Sequence, residues 1–252
     1  MKFEIEYFDE IGSTNTYLMN RAANCGPEIL PEWHTVIARS QSAGRGRRGR
    51  SFESPAGTGL YLSVLLRPKT SPQVTTRITT EAAVAACLSI EKCTGEKAAV
   101  KWVNDIFLRE KKVCGILTEA VIRPGCEYPD AVVCGIGFNL YEPAGGFSDD
   151  IRDIAGAICK KRIPDLENRI ATAFLEELYN IYTSPDDTDY VSEYKRRSYI
   201  IGQDINVIDG KGSRKATALD MDDECRLIVR YENGTQEALS SGEVSVRKTD
   251  DK

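Results

Sequence analysis

The chain has 252 residues, with 33 lysines and arginines against 38 aspartates and glutamates, a formal net charge of -5. That length fits one large domain or a main domain with a small appendage, and either can bury a substantial core. An acidic balance argues against a protein that coats nucleic acid, no stretch approaches the ~18 apolar residues of a membrane span, and Met1 to Glu6 lacks the apolar region of a signal peptide, so a cytoplasmic protein is expected.

Phe3 to Phe8 alternates apolar and charged residues as an edge strand does. Thr14 to Cys25 brings Tyr17, Leu18, Arg21, Ala22 and Cys25 to helical spacing before Gly26-Pro27 closes the run. Ser13-Thr14-Asn15 then stands at the helix N-terminus, where hydroxyls cap and where exposed N–H groups can also meet a polar ligand. Trp33 to Ile37 reads as strand, with His34, the one histidine of the chain, as a satisfied structural residue rather than the base of a nucleophilic machine. Leu60 to Arg67 reads as a buried strand. A helix is expected from Ser71-Pro72 to Gly95, burying Val74, Ile78, Ala82, Ala85 and Leu88. Ala98 to Val103, Ile106 to Arg109, Lys112 to Ile122 and Ala131 to Leu140 read as strands of one sheet, with Glu110-Lys111 as a hairpin tip. Helices are expected to dominate from Asp149 to about Ser198, where Leu166, Ile170, Phe174, Leu178 and Ile181 recur at helical spacing. The acidic, turn-forming patch Thr183 to Asp189 marks a composition shift. After Tyr199 short strands take over, ending in the hairpin signals Asp209-Gly210 and Asn233-Gly234, a small β-barrel of about fifty residues.

The 8 cysteines never fall at Cys-x-x-Cys spacing and His34 cannot complete a cluster with them, so neither a thiolate metal site nor a disulfide framework is expected. Most, like Cys134 after Val132-Val133, read as small hydrophobes. The unusual segment is Gln41-Ser42-Ala43-Gly44-Arg45-Gly46-Arg47-Arg48-Gly49-Arg50. Its guanidinium groups are forked, permanent donors for phosphate or carboxylate, and its glycines let backbone approach closely. Arginines this close repel one another until an anion neutralises them, so poor order is expected when the loop is empty. Three readings of the loop alone stand level: an enzyme's nucleotide-closing loop, an Arg/Gly nucleic-acid contact, and a solvated surface turn.

What flanks the loop separates these readings. Ser51-Phe52-Glu53-Ser54-Pro55 and Gly59-Leu60-Tyr61 follow it, then Lys101-Trp102-Val103-Asn104-Asp105, then Lys112-Val113-Cys114-Gly115-Ile116-Leu117, then Gly135-Ile136-Gly137-Phe138-Asn139, with Ser13-Thr14-Asn15 upstream. In these motifs and their order the chain resembles the biotin protein ligases, from about Glu10 to the C-terminus. The resemblance implies an α+β fold with a mixed β-sheet catalytic domain flanked by helices, of the class II aminoacyl-tRNA synthetase and biotin ligase type, over residues 1–198. A small C-terminal SH3-like β-barrel would occupy residues 199–252. It implies an ATP-dependent ligase that forms biotinyl-5'-AMP and transfers biotin to a lysine of a biotin carboxyl carrier domain. A homodimer is an assembly it allows. Only Met1 to Gly12 precede Ser13, too little for a helix-turn-helix, so a monofunctional enzyme without sequence-specific DNA binding is expected.

Joining a carboxylate to the α-phosphate of ATP brings two anions together, so positive charge is needed where the pentavalent phosphate develops. Arg45, Arg47, Arg50, Lys112 and a magnesium ion are the evident sources. By resemblance, Ser13, Thr14, Asn15, Gln41, Gly44 and Gly115 belong to the biotin site, with Gln41 and Ser13-Thr14 on the ureido ring and Arg45-Gly46-Arg47 framing the carboxyl end. Lys112 and Arg47 are the catalytic pair, Lys112 meeting first the biotin carboxylate and then the acyl phosphate. Arg47, Arg48, Arg50, Phe52, Trp102, Asn104, Asn139 and Arg247 fall to ATP or adenylate, and Asp105 to magnesium. No covalent nucleophile is needed; a lid that keeps the adenylate dry is. Val103 stands where the family has proline and Phe52 where it has tryptophan, which should alter local rigidity and remove an indole donor. Lipoate ligases and octanoyl transferases share the adenylating sheet, but the Gly-Arg-Gly-Arg loop and the Lys-x-x-Gly-Ile-Leu hairpin favour biotin. An Arg/Gly-loop RNA-binding module is the alternative from another class.

Overall fold

The structure is a computed structural model that describes residues 3–68, 74–122, 128–185, 188–209, 212–240 and 245–248. The strands are β1 (Ile5–Phe8), β2 (Thr35–Ala38), β3 (Gly59–Leu66), β4 (Ala99–Lys101), β5 (Asp105–Leu108), β6 (Lys111–Val121) and β7 (Ala131–Asn139), followed by β8 (Asp204–Asp209), β9 (Gly212–Met221), β10 (Leu227–Tyr231), β11 (Gln236–Leu239) and β12 (Ser245–Lys248). The helices are α1 (Thr14–Asn24), α2 (Val74–Thr94), α3 (Leu166–Tyr182) and α4 (Thr188–Arg196).

Among these, β1-β2-β3-β7-β6-β5-β4 form a seven-stranded sheet that is antiparallel except for the parallel β1–β2 edge, so the expected mixed sheet is present. All eight residues of β3 and the first eight of β7 are buried, because helices cover both faces. On one face α1 packs through Leu18 and Ala22 against Val36, Leu65 and Val133. On the other, α2 and α3 bury Ile78, Ala82, Ile170 and Phe174 in the main core, with Phe138 and Phe174 edge to face. Ser13 caps α1 by accepting from the Thr16 amide at 3.4 Å. The expected start of α2 at Ser71-Pro72 lies outside the described residues.

Three expectations shift. The hairpin tip is Arg109-Glu110, both at positive φ as a tight primed turn requires, one residue earlier than expected, so β6 begins at Lys111. The first strand of that region shortens to β4, because Trp102–Asn104 turns, and the Trp102–Val103 peptide is cis. The stretch from Asp149 to Asp165 is not helical. Its aspartates, Gly156 and Pro164 favour turns, and its backbone is spent elsewhere: the Lys112 amide donates to the Ile154 carbonyl and the Gly156 amide to the Lys112 carbonyl, at 2.8 and 2.9 Å.

The C-terminal strands form an antiparallel five-stranded sheet, β11-β10-β9-β8-β12, matching the expected small β unit, with Gly234 at positive φ in the β10–β11 hairpin. The other hairpin signal, at Asp209-Gly210, joins β8 to β9, and Gly210 itself lies outside the described residues. This sheet shares one core with the first through Ile205, Val207, Ala218 and Leu227. At the junction the buried Trp102 indole donates to the Cys225 carbonyl at 2.9 Å. Trp102→Phe should leave that carbonyl unpaired and lower stability by about 1 to 3 kcal/mol. Urea denaturation monitored by circular dichroism should show the earlier midpoint; an unchanged midpoint would mean that this bond contributes nothing to the junction.

Candidate active site

One pocket gathers the motifs, on the face of the large sheet that also carries α1. Its floor is bare backbone. Gly115 on β6 sits opposite Gly137 on β7, and Gly135 lies two residues back, opposite Leu117 on β6 and Ser63 on β3. A Cβ at Gly135 would overlap the Asn15 carboxamide and one at Gly137 would overlap the Phe52 ring, so only glycine lets these walls come down onto the sheet.

The α1 end of the pocket is polar and carries no net charge, because the Arg45 guanidinium found there is matched by the Glu119 carboxylate. The Gln41 Oε1 accepts from the Thr14 amide at 2.9 Å and the Thr14 hydroxyl at 3.1 Å, and its Nε2 donates to Ser54 Oγ at 2.9 Å. Ser63 donates to Asn15 Oδ1 at 2.6 Å and lies 2.7 Å from Thr14 Oγ1. Ser13, Thr14, Asn15 and Ser63 are all buried, so each polar atom here needs a partner and the network holds the N-terminus of α1 rigidly.

The other end is cationic. Lys112 and Gly115 are three apart, a spacing that would put them on opposite faces of a regular strand. The β5–β6 register shifts here, Ile106 pairing with Cys114 but Phe107 with Lys112, so the extra residue Val113 re-aims Lys112 to the face of Gly115. Its Nζ lies 2.6 Å from Asp105 Oδ1. Arg47 donates to Asn104 Oδ1 at 3.0 Å, and Asn104 donates to the Ile116 carbonyl at 2.9 Å. Burial, with the adjacent charge of Arg48, lowers the Arg47 pKa, a penalty on its charged form that an incoming anion would relieve.

The arginine loop is drawn into a compact hairpin. Arg45 pairs with Ser51, the Gly46 amide donates to the Arg50 carbonyl at 2.7 Å and the Phe52 amide to the Gly44 carbonyl at 2.9 Å. The neutralising anion is internal: Glu119 on β6 takes both Nη atoms of Arg45, at 2.9 and 2.7 Å.

Of the residues expected at the site, Ser13, Thr14, Asn15, Gln41, Arg45, Gly46, Arg47, Phe52, Asn104, Lys112 and Gly115 line this pocket. Gly44 does not line it; its carbonyl accepts from the Phe52 amide, and a Cβ there would overlap the Phe52 carbonyl and Ser54 Oγ. Arg48 and Arg50 are exposed at the loop tip and do not line it. Trp102 is no stacking platform; its buried indole is spent on Cys225. Asn139 ends β7 beyond the pocket, where its carbonyl accepts from Ile158. Arg247 pairs by its backbone with Asn206 at the edge of the second sheet, and its side chain lies outside the described residues. Asp105 faces the Lys112 ammonium. Sequence reasoning misses Glu119, Ser63, Gly135 and Gly137; the alternating glycines of Gly135-Ile136-Gly137 are the available signal for a bare floor.

Residues 7–139 match the biotin/lipoate A/B protein ligase family, and residues 200–247 match the biotin protein ligase C-terminal domain. The bifunctional ligase/repressor BirA of Bacillus spizizenii is 31% identical over 93% of this chain and 72% of its own length. The biotin--[acetyl-CoA-carboxylase] ligase of Mycobacterium tuberculosis is 31% identical over 96% of this chain and 88% of its own. In fold, the chain is similar to the biotin protein ligase of Aquifex aeolicus solved with biotin and ATP, with a TM-score of 0.79 at 22% identity over 98% of this chain and 99% of that one.

The floor makes a stability prediction. Gly135→Ala should cost about 1 to 3 kcal/mol by overpacking against Asn15. Asn15→Ala should cost less in that background than alone, because the clash and the carboxamide leave together. Chemical denaturation of the four proteins measures the coupling, and strict additivity would refute the contact.

Proposed function

The chain belongs to the biotin protein ligases of the biotin/lipoate A/B protein ligase family, and we propose that this pocket binds biotin along the glycine floor and makes biotinyl-5'-AMP at its cationic end. One observation carries the reading. Asn15 rests on Gly135, while Lys112 rests on Gly115, the partner of Gly137 two residues further along β7. Two residues of strand span about 6 to 7 Å, so a neutral polar end and a cationic end are held a short molecule apart. A ligand with an uncharged hydrogen-bonding head, an apolar middle and a terminal carboxylate fits both.

The biotin carboxylate oxygen attacks the α-phosphorus of ATP and pyrophosphate leaves. The ε-amine of an acceptor lysine then attacks the acyl carbon of the mixed anhydride and AMP leaves. Lys112, oriented by Asp105, and Arg47, oriented by Asn104, place positive charge where the two anions meet, and preorganised donors cost no reorganisation at that moment. Phe52 and the loop above it keep water from the anhydride. The described residues do not fit a protein-held magnesium ion: no three of their His, Cys, Asp or Glu side chains converge, and Asp105 is committed to Lys112. No step is assigned to that ion.

The proposed acceptor is a lysine of a carboxylase's biotin carrier domain; the name of the Mycobacterium tuberculosis relative, which gives acetyl-CoA carboxylase as its acceptor, supports a carboxylase. We divide the chain at residue 198/199; a second sheet that starts with β8 and a C-terminal family match over residues 200–247 support a division in this region. No described helix is long and apolar enough to cross a membrane. A cytosolic setting agrees with ATP as substrate and with cysteines that are free among the described residues, of which Cys87 and Cys134 have thiols pushed up to about 12 by burial.

Biotin-dependent ATP–pyrophosphate exchange tests the reading, and exchange with lipoate but not biotin would overturn it. Lys112→Ala should lower exchange by roughly two to three orders of magnitude while the fold survives, the scale of one preorganised donor. Activity within about twofold of wild type would reassign Lys112 to the solvated surface. Arg47→Gly should separate retention from synthesis, weakening adenylate binding by about 1.5 to 3 kcal/mol. Escaped biotinyl-AMP would then label bystander proteins, read on a streptavidin blot. A variant that makes adenylate normally yet labels only its carrier domain would remove Arg47 from the lid.

A further inference from the structure

Arg45 does not present its guanidinium to the pocket as an open fork. Both Nη atoms are taken by one carboxylate, in the parallel two-bond geometry that makes such pairs strong and directional. That carboxylate, Glu119, shares the face of β6 with Gly115 and Leu117, and it also accepts from Asn15 Nδ2 at 3.1 Å. The Asn15 amide is thereby fixed in direction, its nitrogen toward Glu119 and the Leu117 carbonyl and its oxygen toward Ser63. One acidic side chain thus joins the loop, the sheet and the N-terminus of α1.

We infer that Glu119 is a positioning residue of the site, tethering the base of the 41–52 hairpin through Arg45 and orienting Asn15. Arg45 pairs with Ser51 across the hairpin, so holding it sets the path of the chain to Arg47, two residues on, whose guanidinium reaches Asn104. The loop therefore divides its labour: Arg45 is an anchor already neutralised by the protein, Arg47 is the charge held over the pocket, and Arg48 and Arg50 stay exposed at the tip. The pair is partly open to solvent, with side-chain exposures of 44% for Arg45 and 21% for Glu119, so salt should weaken the tether.

The tether is independent of the ligase reading, but its kinetic consequence rests on it, and the experiment separates the two. Without any ligand, trypsin should cut the full-length Glu119→Gln protein after Arg47, Arg48 or Arg50 about tenfold faster than wild type, with little change in melting temperature. In wild type the cutting rate should rise with salt; in the variant it should not. In biotin-dependent exchange the KM for biotin should rise about tenfold while kcat stays within about threefold, a split that a general loss of stability does not produce. Arg45→Ala breaks the same tether from the loop side and should reproduce the cutting result, and Arg45→Ala with Glu119→Ala should be cut no faster than Arg45→Ala alone. Unchanged cutting in both single variants, or a KM that does not move, overturns the inference. Wild type without exchange activity would sink the ligase reading, and the cutting rates would still decide whether the tether exists.

Discussion

The absence of side chains at Gly115, Gly135 and Gly137 is the constraint on which the rest of the site depends. A sheet packed by helices on both faces has no room for a ligand, and β3 and β7 are buried almost end to end. Removing three Cβ atoms on one face opens a trench one side chain deep without unpairing any strand. The walls then have to come from elsewhere, and they do: Asn15 from α1 descends onto Gly135, and Phe52 from the arginine hairpin descends onto Gly137. A methyl group at either glycine would raise a wall before any substrate arrived, so binding and local stability are coupled through the same atoms.

Charge is arranged on that floor with unequal partners. Lys112 faces Asp105, Arg45 faces Glu119, and Arg47 donates to the neutral amide of Asn104. A cation paired with a carboxylate is positioned and partly neutralised. Arg47, held by Asn104 and also in the field of Asp105, is the more buried case, and burial with the adjacent Arg48 charge makes its charged form costly until an anion enters. The burial penalty gives Arg47 a reason to hold an anionic intermediate, and the two-bond pair with Glu119 gives Arg45 a reason to stay where it is.

Periodicity and turn chemistry locate α1, the end of α2, β3, β5, β6 and β7 to within a few residues, because each is a run with one clear period. Trp102 reads in sequence as a stacking aromatic because adjacency to Asn104 and Asp105 says nothing about which side of a turn an indole faces; it faces the second sheet. Asp105 reads as a metal ligand because a carboxylate in sequence shows no partner, and its partner lies across a hairpin on a strand whose bulge no spacing rule reveals. Glu119 is invisible for the same reason: its meaning lies in Arg45, 74 positions away. The Asp149 to Asp165 stretch reads as helical only when the neighbouring periodicity of α3 is extended too far, against its own turn-forming residues.

The second sheet is tied to the chemistry through the turn that carries Asn104 and Asp105. Trp102 bonds to Cys225, the buried Tyr194 hydroxyl donates to the Val103 carbonyl at 3.0 Å, and Val100 bridges to Ser198. The turn is thus clamped on its far side by α4 and the second sheet, while on its near side Asn104 holds Arg47 and Asp105 holds Lys112. Any displacement of the C-terminal unit would move both cations' partners together. That is why its small β-sheet acts as part of the active site's foundation without contributing a described side chain to the pocket.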